Sequence, residues 1–473
     1  MNSQTPIKAA VWSLVERFSS QVVGFLIGIV LARLLDPHDF GIVGMMTIFL
    51  SISNVFIDSG FGNALIRKQN RTEQDLSTAF YFNVILGAVV YAILWIISPL
   101  IASFFREPLL AILVKIAGLN VLLFSFSVVQ TAILTAELKI KQQTIINLCG
   151  QIPAGIIAIL IAYNGGGVYT LAFQSVIAAA IKLFLLWYYA KWRPTKTISL
   201  SSLKYLWGFG SKLVGASLIG TIFNECYSVL IGKFVGAVPL GFYTKASQLN
   251  SNVNSISTGV VNKIAVPMLS RYQEDISILK DKFRELMQVL VMLTAPITII
   301  LCVCAKDIII VLWTEKWTDS IILFQLLLIG GLFAPIGQVS LALLQVVNKT
   351  GLILKLELPK KIIYTILIGF GFRYGVVGLC VSQIFINIAA SVINMYPTKS
   401  ILGFSYGRQV TDILKYIILA LLLGVISYIV TYKLSLYIRI TLNTLFISAA
   451  YIIILLLLKD SIATKYIRRF IHI

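Results

Sequence analysis

The sequence predicts an all-α, polytopic membrane protein with fourteen transmembrane helices, arranged as two parallel six-helix repeats followed by two C-terminal helices. Three observations predict this fold. Hydrophobic residues make up 58% of the 473 residues, only 12% are charged, and the mean hydropathy is +0.91, which is far outside the range of soluble domains. The apolar residues form long segments, and similar segments recur about 200 residues apart.

The length of the apolar segments indicates helices. A bilayer core about 30 Å thick requires about 20 mostly apolar residues per span, because a backbone in hydrocarbon must satisfy its own hydrogen bonds. Residues 85–97, ILGAVVYAILWII, lack the alternation expected of membrane β-strands. The predicted spans cover residues 10–34, 40–66, 78–105, 109–135, 144–163, 166–191, 205–232, 239–268, 284–305, 321–346, 352–372, 375–397, 412–431 and 440–458.

The placement of positive charge predicts the orientation. Of the 39 Lys and Arg residues, 25 lie in loops and tails on the side of the N-terminus or in the adjoining parts of spans, 8 lie likewise on the opposite side, and the other 6 are assigned to the interior of spans. Cytoplasmic loops carry such an excess, so we expect both termini in the cytoplasm and the protein in the cytoplasmic (inner) membrane. The net charge of +20 then reflects topology and contact with anionic membrane lipids, and nucleic acid is not an expected partner.

An internal repeat predicts the domain organisation. LARLLDPHDFGIVG at residues 31–44 is similar to IGKFVGAVPLGFYT at 231–244, and RTEQDL at 71–76 is similar to RYQEDI at 271–276. Six spans fit within one period, so both copies have the same orientation, and substrate sites are expected between such halves. The predicted divisions are an N-terminal lobe with helices 1–6, a C-terminal lobe with helices 7–12, and a last part with helices 13–14 and a cytoplasmic tail. Their bounds are 1–200, 201–400 and 401–473.

Polar residues within the spans predict a cavity. A charge at the bilayer centre costs about 2.5–3.5 kcal/mol on insertion scales, so it needs a partner or access to water. Most such charges fall in the first, second, seventh and eighth spans, and the eighth is also rich in Ser and Asn. The candidates for substrate binding are Arg17, Lys212, Lys245, Lys263, Asn250 and Asn254, and the candidates for ion coupling are Glu16, Asp58 and Glu225.

Each candidate has an alternative interpretation. The asparagines could hold helices together through interhelical hydrogen bonds. Lys212, Lys245 and Lys263 could extend to a membrane interface while their stems stay in lipid. Glu16 and Asp58 could be partners of intramembrane cations instead of proton or sodium sites.

The sequence predicts no cofactor, no metal site and no catalytic residues. The five cysteines all lie in apolar segments, where small packing residues are the usual interpretation. With only His38 and His472 in the chain, a histidine-based metal site or a Ser-His-Asp triad has almost no ligands to draw on.

Several motifs in order resemble one transporter family. They are AVWSLVERFSSQ, LARLLDPHDFGIVG, DSGFGNALIRKQNRTEQDLSTAFYFN, AELKIKQQ, GGGVYTLAFQ, KWRPTKTISLSSLKYLWGFGSKL and LIGKFVGAVPLGFYTKASQL. The chain resembles the Wzx-type flippases of the multidrug/oligosaccharidyl-lipid/polysaccharide exporter (MOP) superfamily, in particular the branch that exports colanic acid and teichuronic acid. The resemblance covers about residues 8–270, and beyond them mainly the pattern of spans.

The resemblance implies a V-shaped, MATE-like transporter that flips undecaprenyl-pyrophosphate-linked oligosaccharide repeat units by alternating access, for lipopolysaccharide or exopolysaccharide biosynthesis. In such flippases the first, second, seventh and eighth helices line a cationic cavity. Arg17, Lys212, Lys245 and Lys263 are therefore expected to hold pyrophosphate or acidic sugars. The implied partners are the lipid-linked oligosaccharide, membrane lipids and the polysaccharide polymerase machinery.

Two other functions remain open at this stage. A MATE-type antiporter of small molecules and ions could share the fold, although a basic cavity favours anionic substrates. A membrane polysaccharide polymerase or ligase is the enzymatic alternative, and it is expected to carry a large outer loop with catalytic Arg or His. The longest predicted outer loop, residues 306–320, contains no histidine, so we do not expect an enzyme.

Overall fold

Helices form the regular structure of the described chain. The computed structural model describes residues 6–58, 60–68 and 70–471, and within them the side chains of residues 6–11, 14, 209, 212, 256, 257, 260, 262 and 467–471 lie outside the described set. The elements in this part are α-helices and one short 3-10 helix, Glu315–Trp317. The chain divides into two compact units, Met1–Thr244 and Lys245–Ile473.

The N-terminal unit contains nine helices in its described residues and the start of a tenth. They are α1 (Pro6–Leu34), α2 (Pro37–Asp58), α3 (Phe61–Arg67), α4 (Glu73–Phe105), α5 (Leu110–Ser125), α6 (Val128–Ala136), α7 (Ile140–Tyr163), α8 (Tyr169–Ala190) and α9 (Leu200–Phe234). Within this unit α1 packs on α7, α7 on α8, α4 on α5 and α2 on α9.

The C-terminal unit begins inside α10, so this helix belongs to both units. The helices are α10 (Ala237–Ser270), α11 (Ile276–Val303), α12 (Ala305–Trp313), α13 (Ser320–Gly331), α14 (Ala334–Val346), α15 (Thr350–Phe372), α16 (Gly375–Leu402), α17 (Tyr406–Thr431), α18 (Leu436–Leu457) and α19 (Ser461–Ile471). Their buried apolar side chains form a cluster that includes Phe283 of α11 and Tyr416 of α17.

The fold is that of a polytopic membrane protein, as the composition predicts. Among the described residues, eleven helical segments are long and apolar enough to cross a bilayer, and twelve if the bent pair α5 and α6 is one span. The helices α10 and α15 overlap the two remaining predicted spans but fall short of that apolar threshold, because α10 is rich in Ser and Asn and α15 carries four charged residues. The count of fourteen therefore stays a prediction.

The repeated sequence motifs occupy similar places in the helices. At residues 31–44, α1 ends at Leu34 and α2 begins at Pro37, while at 231–244, α9 ends at Phe234 and α10 begins at Ala237. The two-residue link is the same length in both copies. The motifs at 71–76 and 271–276 both include a helix start, where Thr72 caps α4 and Asp275 caps α11 by accepting backbone hydrogen bonds.

Three predicted spans are interrupted. The second breaks at Gly60, which has φ of 68° in the left-handed region that glycine adopts without steric cost. The fourth bends by 44° between α5 and α6, and the tenth is divided between α13 and α14. These breaks place the ends of helices, with their polar backbone groups, inside the membrane-spanning part of the chain.

Candidate functional site

The two candidate asparagines of α10 lie together. Asn254 Nδ2 donates to Asn250 Oδ1 at 3.2 Å, one helical turn away, and both side chains are half-buried. A Cβ at Gly331, the last residue of α13, would lie 2.7 Å from the Asn254 amide and 3.1 Å from Asn250 Oδ1. The pair therefore packs against the junction of α13 and α14, a contact that fits the helix-packing alternative as well as a binding role.

Lys245 is enclosed by aromatic rings in the C-terminal unit. Its side chain is 1% exposed, and its Nζ lies 4.8 Å from the ring centroid of Trp313 and 6.0 Å from that of Trp317. Nζ also donates to Gln248 Oε1 at 3.4 Å. The ring faces carry negative charge density and attract the ammonium group, and the attraction is strongest where water is excluded. An anionic substrate can reach Lys245 only if these tryptophans move.

The helix that carries Trp313 is held by a buried ion pair. Arg439 of α18 donates from Nε to Asp307 Oδ2 at 2.6 Å and from a second nitrogen to Oδ1, and Asp307 is 1% exposed. Such two-point pairing is geometrically specific for arginine. It fixes α12 and thereby the position of Trp313 beside Lys245.

The remaining cationic candidates differ from Lys245 in exposure. Arg17 on α1 and Lys263 on α10 are both exposed. Lys212 lies on α9, but its side chain is outside the described set. Among the candidates on α10, the structure brings together Asn250 and Asn254, while Lys245 and Lys263 lie in different surroundings along the same helix.

Glu16 lies in a polar cluster of the N-terminal unit. Its Oε1 accepts a hydrogen bond from Asn147 Nδ2 of α7 at 2.6 Å, and its charge interacts with that of Lys182 on α8. The stem of Lys182 crosses α7 at Gly150, where a Cβ would lie 2.5 Å from Lys182 Cγ. The cluster joins three helices and brings a cation within electrostatic reach of Glu16, as the alternative interpretation expects.

The other two acidic candidates lie elsewhere in the same unit. Glu225 of α9 accepts a hydrogen bond from Ser51 of α2 at 3.3 Å. Asp58 is exposed at the end of α2, beside the break at Gly60. The three carboxylates thus occupy separate sites, and the part of the chain that is described contains no group of three or more His, Cys, Asp or Glu able to hold a metal ion.

Sequence reasoning missed the partners of Lys245 and Glu16. Trp313 and Trp317 are spaced like neighbours on one helical face, but nothing in the local sequence links them to α10. Lys182 is identifiable as an intramembrane charge from the sequence, but its pairing with Glu16 depends on how α1 and α8 both pack against α7.

The sequence of this chain is similar to those of proteins of polysaccharide biosynthesis. The family model described as "Polysaccharide biosynthesis protein" matches residues 30–322. The chain is 24% identical to an uncharacterized membrane protein in the cps region of Klebsiella pneumoniae, over 84% of this chain and 83% of that one. It is 23% identical to the lipopolysaccharide biosynthesis protein WzxC of Escherichia coli K12, over 89% and 87%. It is 26% identical to the teichuronic acid biosynthesis protein TuaB of Bacillus subtilis, over 61% of each chain.

Solved structures show the same fold. The lipid II flippase MurJ in an inward closed conformation aligns with a TM-score of 0.78 and 13% identity, covering 98% of this chain and 100% of MurJ. An inward-facing multidrug resistance MATE family transporter of the MOP superfamily aligns with a TM-score of 0.61 and 14% identity, covering 81% and 94%. The predicted resemblance to the Wzx-type proteins of the MOP superfamily is confirmed.

Proposed function

Because the chain belongs to the polysaccharide biosynthesis protein family, we propose that it flips undecaprenyl-pyrophosphate-linked oligosaccharide repeat units from the inner to the outer leaflet of the cytoplasmic membrane, by alternating access. The observation that carries this proposal is the family match over residues 30–322, together with relatives named for lipopolysaccharide and teichuronic acid biosynthesis. The MurJ-like fold supports it, since MurJ is a lipid II flippase. The protein is then a transporter and not an enzyme.

The physical task fits an intramembrane polar helix. A sugar and pyrophosphate headgroup that crosses hydrocarbon unaided exposes many unpaired polar groups, each costing several kcal/mol. Helix α10 presents the amides of Asn250 and Asn254 and the exposed Lys263 along one span. These groups can form hydrogen bonds with the headgroup in place of those it made with water, while the polyprenyl tail stays in lipid.

In this proposal α10 and α15 are spans, which gives the predicted fourteen. The polar α10 then faces the substrate. On α15 the apolar residues at every fourth position are strongly exposed, as expected of a helix in contact with lipid. They are Leu354, Leu358, Ile362, Ile366 and Phe370, with exposed fractions between 62% and 73%. An even number of spans leaves both termini in the cytoplasm, in agreement with the placement of Lys and Arg.

The proposed lobes follow the sequence repeat, with bounds at 1–200, 201–400 and 401–473. The proposed substrate contacts are Arg17, Lys212, Lys245, Lys263, Asn250 and Asn254. Cations suit pyrophosphate and acidic sugars, and amides suit hydroxyl groups. The polymerase machinery that would receive the exported units is the proposed protein partner.

The energy source is proposed to be the membrane potential. An inside-negative potential contributes about 2.3 kcal/mol per 100 mV for each net negative charge moved outward. Glu16, Asp58 and Glu225 remain the proposed positions for a coupled proton or sodium ion, should transport depend on one.

The test is deletion of the gene followed by analysis of lipid-linked intermediates. We expect undecaprenyl-linked repeat units to accumulate on the inner leaflet and surface polysaccharide to disappear, with both reversed by the wild-type gene. Unpolymerised units on the outer leaflet would instead identify a polymerase. Unchanged intermediates with altered resistance to small cations would identify an antiporter.

A further inference from the structure

A cavity of about 170 Å³ lies within the C-terminal unit, between α10, α11 and the junction of α13 and α14. Its wall is mainly apolar and includes Val253 of α10, Leu301 of α11 and Leu332 after α13. An apolar cavity of about 150 Å³ in a protein core stays dry and admits a molecule the size of benzene. This cavity therefore has room for a hydrocarbon group of five or six carbons.

Two walls of the cavity depart from a regular helix, one through a proline inside a continuous helix and the other through a break between two helices. Pro296 lies inside α11, where it removes a backbone hydrogen bond and disturbs the helix. The opposite wall is the break between Gly331, the end of α13, and Ala334, the start of α14. Both features border the cavity, which is lined by residues on either side of Pro296 and at the break between α13 and α14.

One side of the cavity reaches the apolar surface of the unit. Ile297, which lines the cavity, is 51% exposed, and Leu293, one turn earlier on α11, is 52% exposed. Lipid tails are as apolar as these branched side chains, so such an exposed surface is suited to contact with hydrocarbon. A hydrocarbon group can therefore enter from the lipid.

The other side of the cavity adjoins polar groups. Asn254 lines the cavity and is hydrogen-bonded to Asn250. A ligand in the cavity would thus have its apolar part against α11 and its polar part next to the amides of α10. Lipid-linked oligosaccharides have this division at the bond between the polyprenyl chain and the phosphate.

We propose that this cavity binds an isoprene unit of the polyprenyl chain and thereby holds the lipid carrier beside α10 during transport. The proposal rests on the proposed function, because it needs a polyprenyl-linked substrate. A branched five-carbon isoprene unit matches the volume, and its attached phosphate would lie on the side of Asn254. Membrane phospholipid, the competing source of hydrocarbon, is distinguished by the test below.

Thr294 allows the polarity of the site to be tested. It lines the cavity, and its hydroxyl is buried without a hydrogen-bond partner in the described part of the chain. A ligand held by apolar contact does not need this hydroxyl, so Thr294→Val should leave binding within about twofold of wild type. A ligand held by hydrogen bonding to Thr294 would lose affinity.

The experiment uses the full chain in lipid nanodiscs and a polyprenyl phosphate that carries a photoreactive group in the isoprene unit nearest the phosphate. We expect labelling on the segments around Leu301 and Leu332. Val253→Phe and Leu301→Phe, which fill the cavity from opposite walls, should each reduce labelling about tenfold. The matched controls are Ile278→Phe on α11 and Ile264→Phe on α10, both exposed and outside the cavity wall and its opening.

Three results would overturn the proposal. They are wild-type labelling of both filled variants, loss of labelling in Thr294→Val, and competition by phosphatidylglycerol as strong as that by unlabelled undecaprenyl phosphate. The gene deletion measures export, whereas the labelling measures binding. A failure of the proposed function is therefore distinguishable from a failure of the proposed cavity site. If the deletion confirms export but the filled variants are labelled like the wild type, only the binding of the isoprene unit in the cavity is refuted. If the lipid-linked intermediates are unchanged after the deletion, the proposed flippase function is refuted.

Discussion

Gly41 and Gly241 make reciprocal contacts where α2 and α10 begin. A Cβ on Gly41 would lie 1.8 Å from the carbonyl oxygen of Ala237, and a Cβ on Gly241 would lie 1.8 Å from that of Pro37. In the sequence repeat, Gly41 corresponds to Gly241 and Pro37 to Ala237. Each copy therefore uses its glycine to contact the first residue of the other helix, which supports the proposed repeat independently of the sequence match.

This contact predicts that both glycines resist substitution to a similar degree. Gly41→Ala and Gly241→Ala should each destabilise the protein by about 1–3 kcal/mol, because a backbone carbonyl has to move. The double variant should lose less unfolding free energy than the two single variants together, since either change already separates the two helices. The measurement is thermal unfolding of the purified protein in detergent.

Gly220→Ala on α9 is the matched control, because nothing lies within 4 Å of a Cβ at that position. It should be neutral or slightly stabilising, as expected for alanine in a helix. Equal melting temperatures for Gly41→Ala and Gly220→Ala would show that the helices do not meet as described.

The hairpin ends were predictable because their signals are local. Leu34 and Pro37, like Phe234 and Ala237, flank short links that follow a basic residue and contain Asp-Pro or Gly. The interruption between α5 and α6 was not predictable, since residues 125–128 contain neither proline nor glycine. At this bend the hydroxyls of Ser125 and Ser127 each donate to the carbonyl three residues earlier, a type of bond that often accompanies a bent helix.

The sequence identifies candidate residues by their type but does not predict their contacts. Lys245 and Glu16 are identifiable as candidates because a charged residue within a predicted span requires a partner or access to water. Their partners, Trp313 and Lys182, are far away in the sequence, and only tertiary packing brings them together. The sequence therefore indicates which residues need an explanation, whereas the contacts distinguish an enclosed lysine from an exposed one.

The surroundings of Lys245 and Lys263 predict different mutant behaviour. Lys245→Ala removes a buried cation from beside Trp313 and Trp317, an interaction worth about 2 kcal/mol when desolvated, so it should lower both the melting temperature and export. Lys263→Ala should lower export of surface polysaccharide at an unchanged melting temperature, since Lys263 is exposed. Export is measured in a deletion strain at matched protein levels in the membrane.

A double-mutant cycle checks the aromatic contribution. Trp313→Leu combined with Lys245→Ala should destabilise less than the sum of the single changes, because both remove the same contact. Strict additivity would contradict the contact. Wild-type export from both Lys245→Ala and Lys263→Ala would contradict their assignment to the substrate site.

Asp460, which precedes α19, predicts a dependence of stability on pH. Burial disfavours its charge, but Lys415, Tyr416 and the backbone N–H of Ala463 donate to the carboxylate and together hold the pKa of Asp460 below its ordinary value. A lowered pKa stabilises the folded protein above the unfolded pKa of about 3.9, and this stabilisation is lost as the pH falls through the folded pKa.

The melting temperature of the wild type should therefore fall more steeply below a pH of about 4 than that of Asp460→Asn, which has no charge to lose. Thermal unfolding in buffers of constant ionic strength measures the difference. Glu274→Gln, at an exposed position in the turn before α11, should keep the wild-type slope. Parallel curves for the wild type and Asp460→Asn would refute the role of the carboxylate.

The electrostatic interaction between Glu16 and Lys182 can be used to distinguish an ion-coupling site from a fixed charge pair. Lys182→Met leaves the Glu16 carboxylate without this cation, and a charge within the bilayer costs about 2.5–3.5 kcal/mol. We expect the variant to be less stable and to export less, and its export to depend more strongly on external pH or sodium, because Glu16 then recruits a proton or a sodium ion. Export by wild type and variant cells across pH and sodium concentration measures this.

The double variant Glu16→Gln/Lys182→Met decides between the two roles. If the residues form a fixed pair, removal of both charges restores stability and export, since no uncompensated charge remains and Asn147 can still hydrogen-bond to the glutamine. If Glu16 carries the coupled ion, Glu16→Gln abolishes export whether or not Lys182 is changed. Wild-type stability and ion response in Lys182→Met would show that the two charges do not interact.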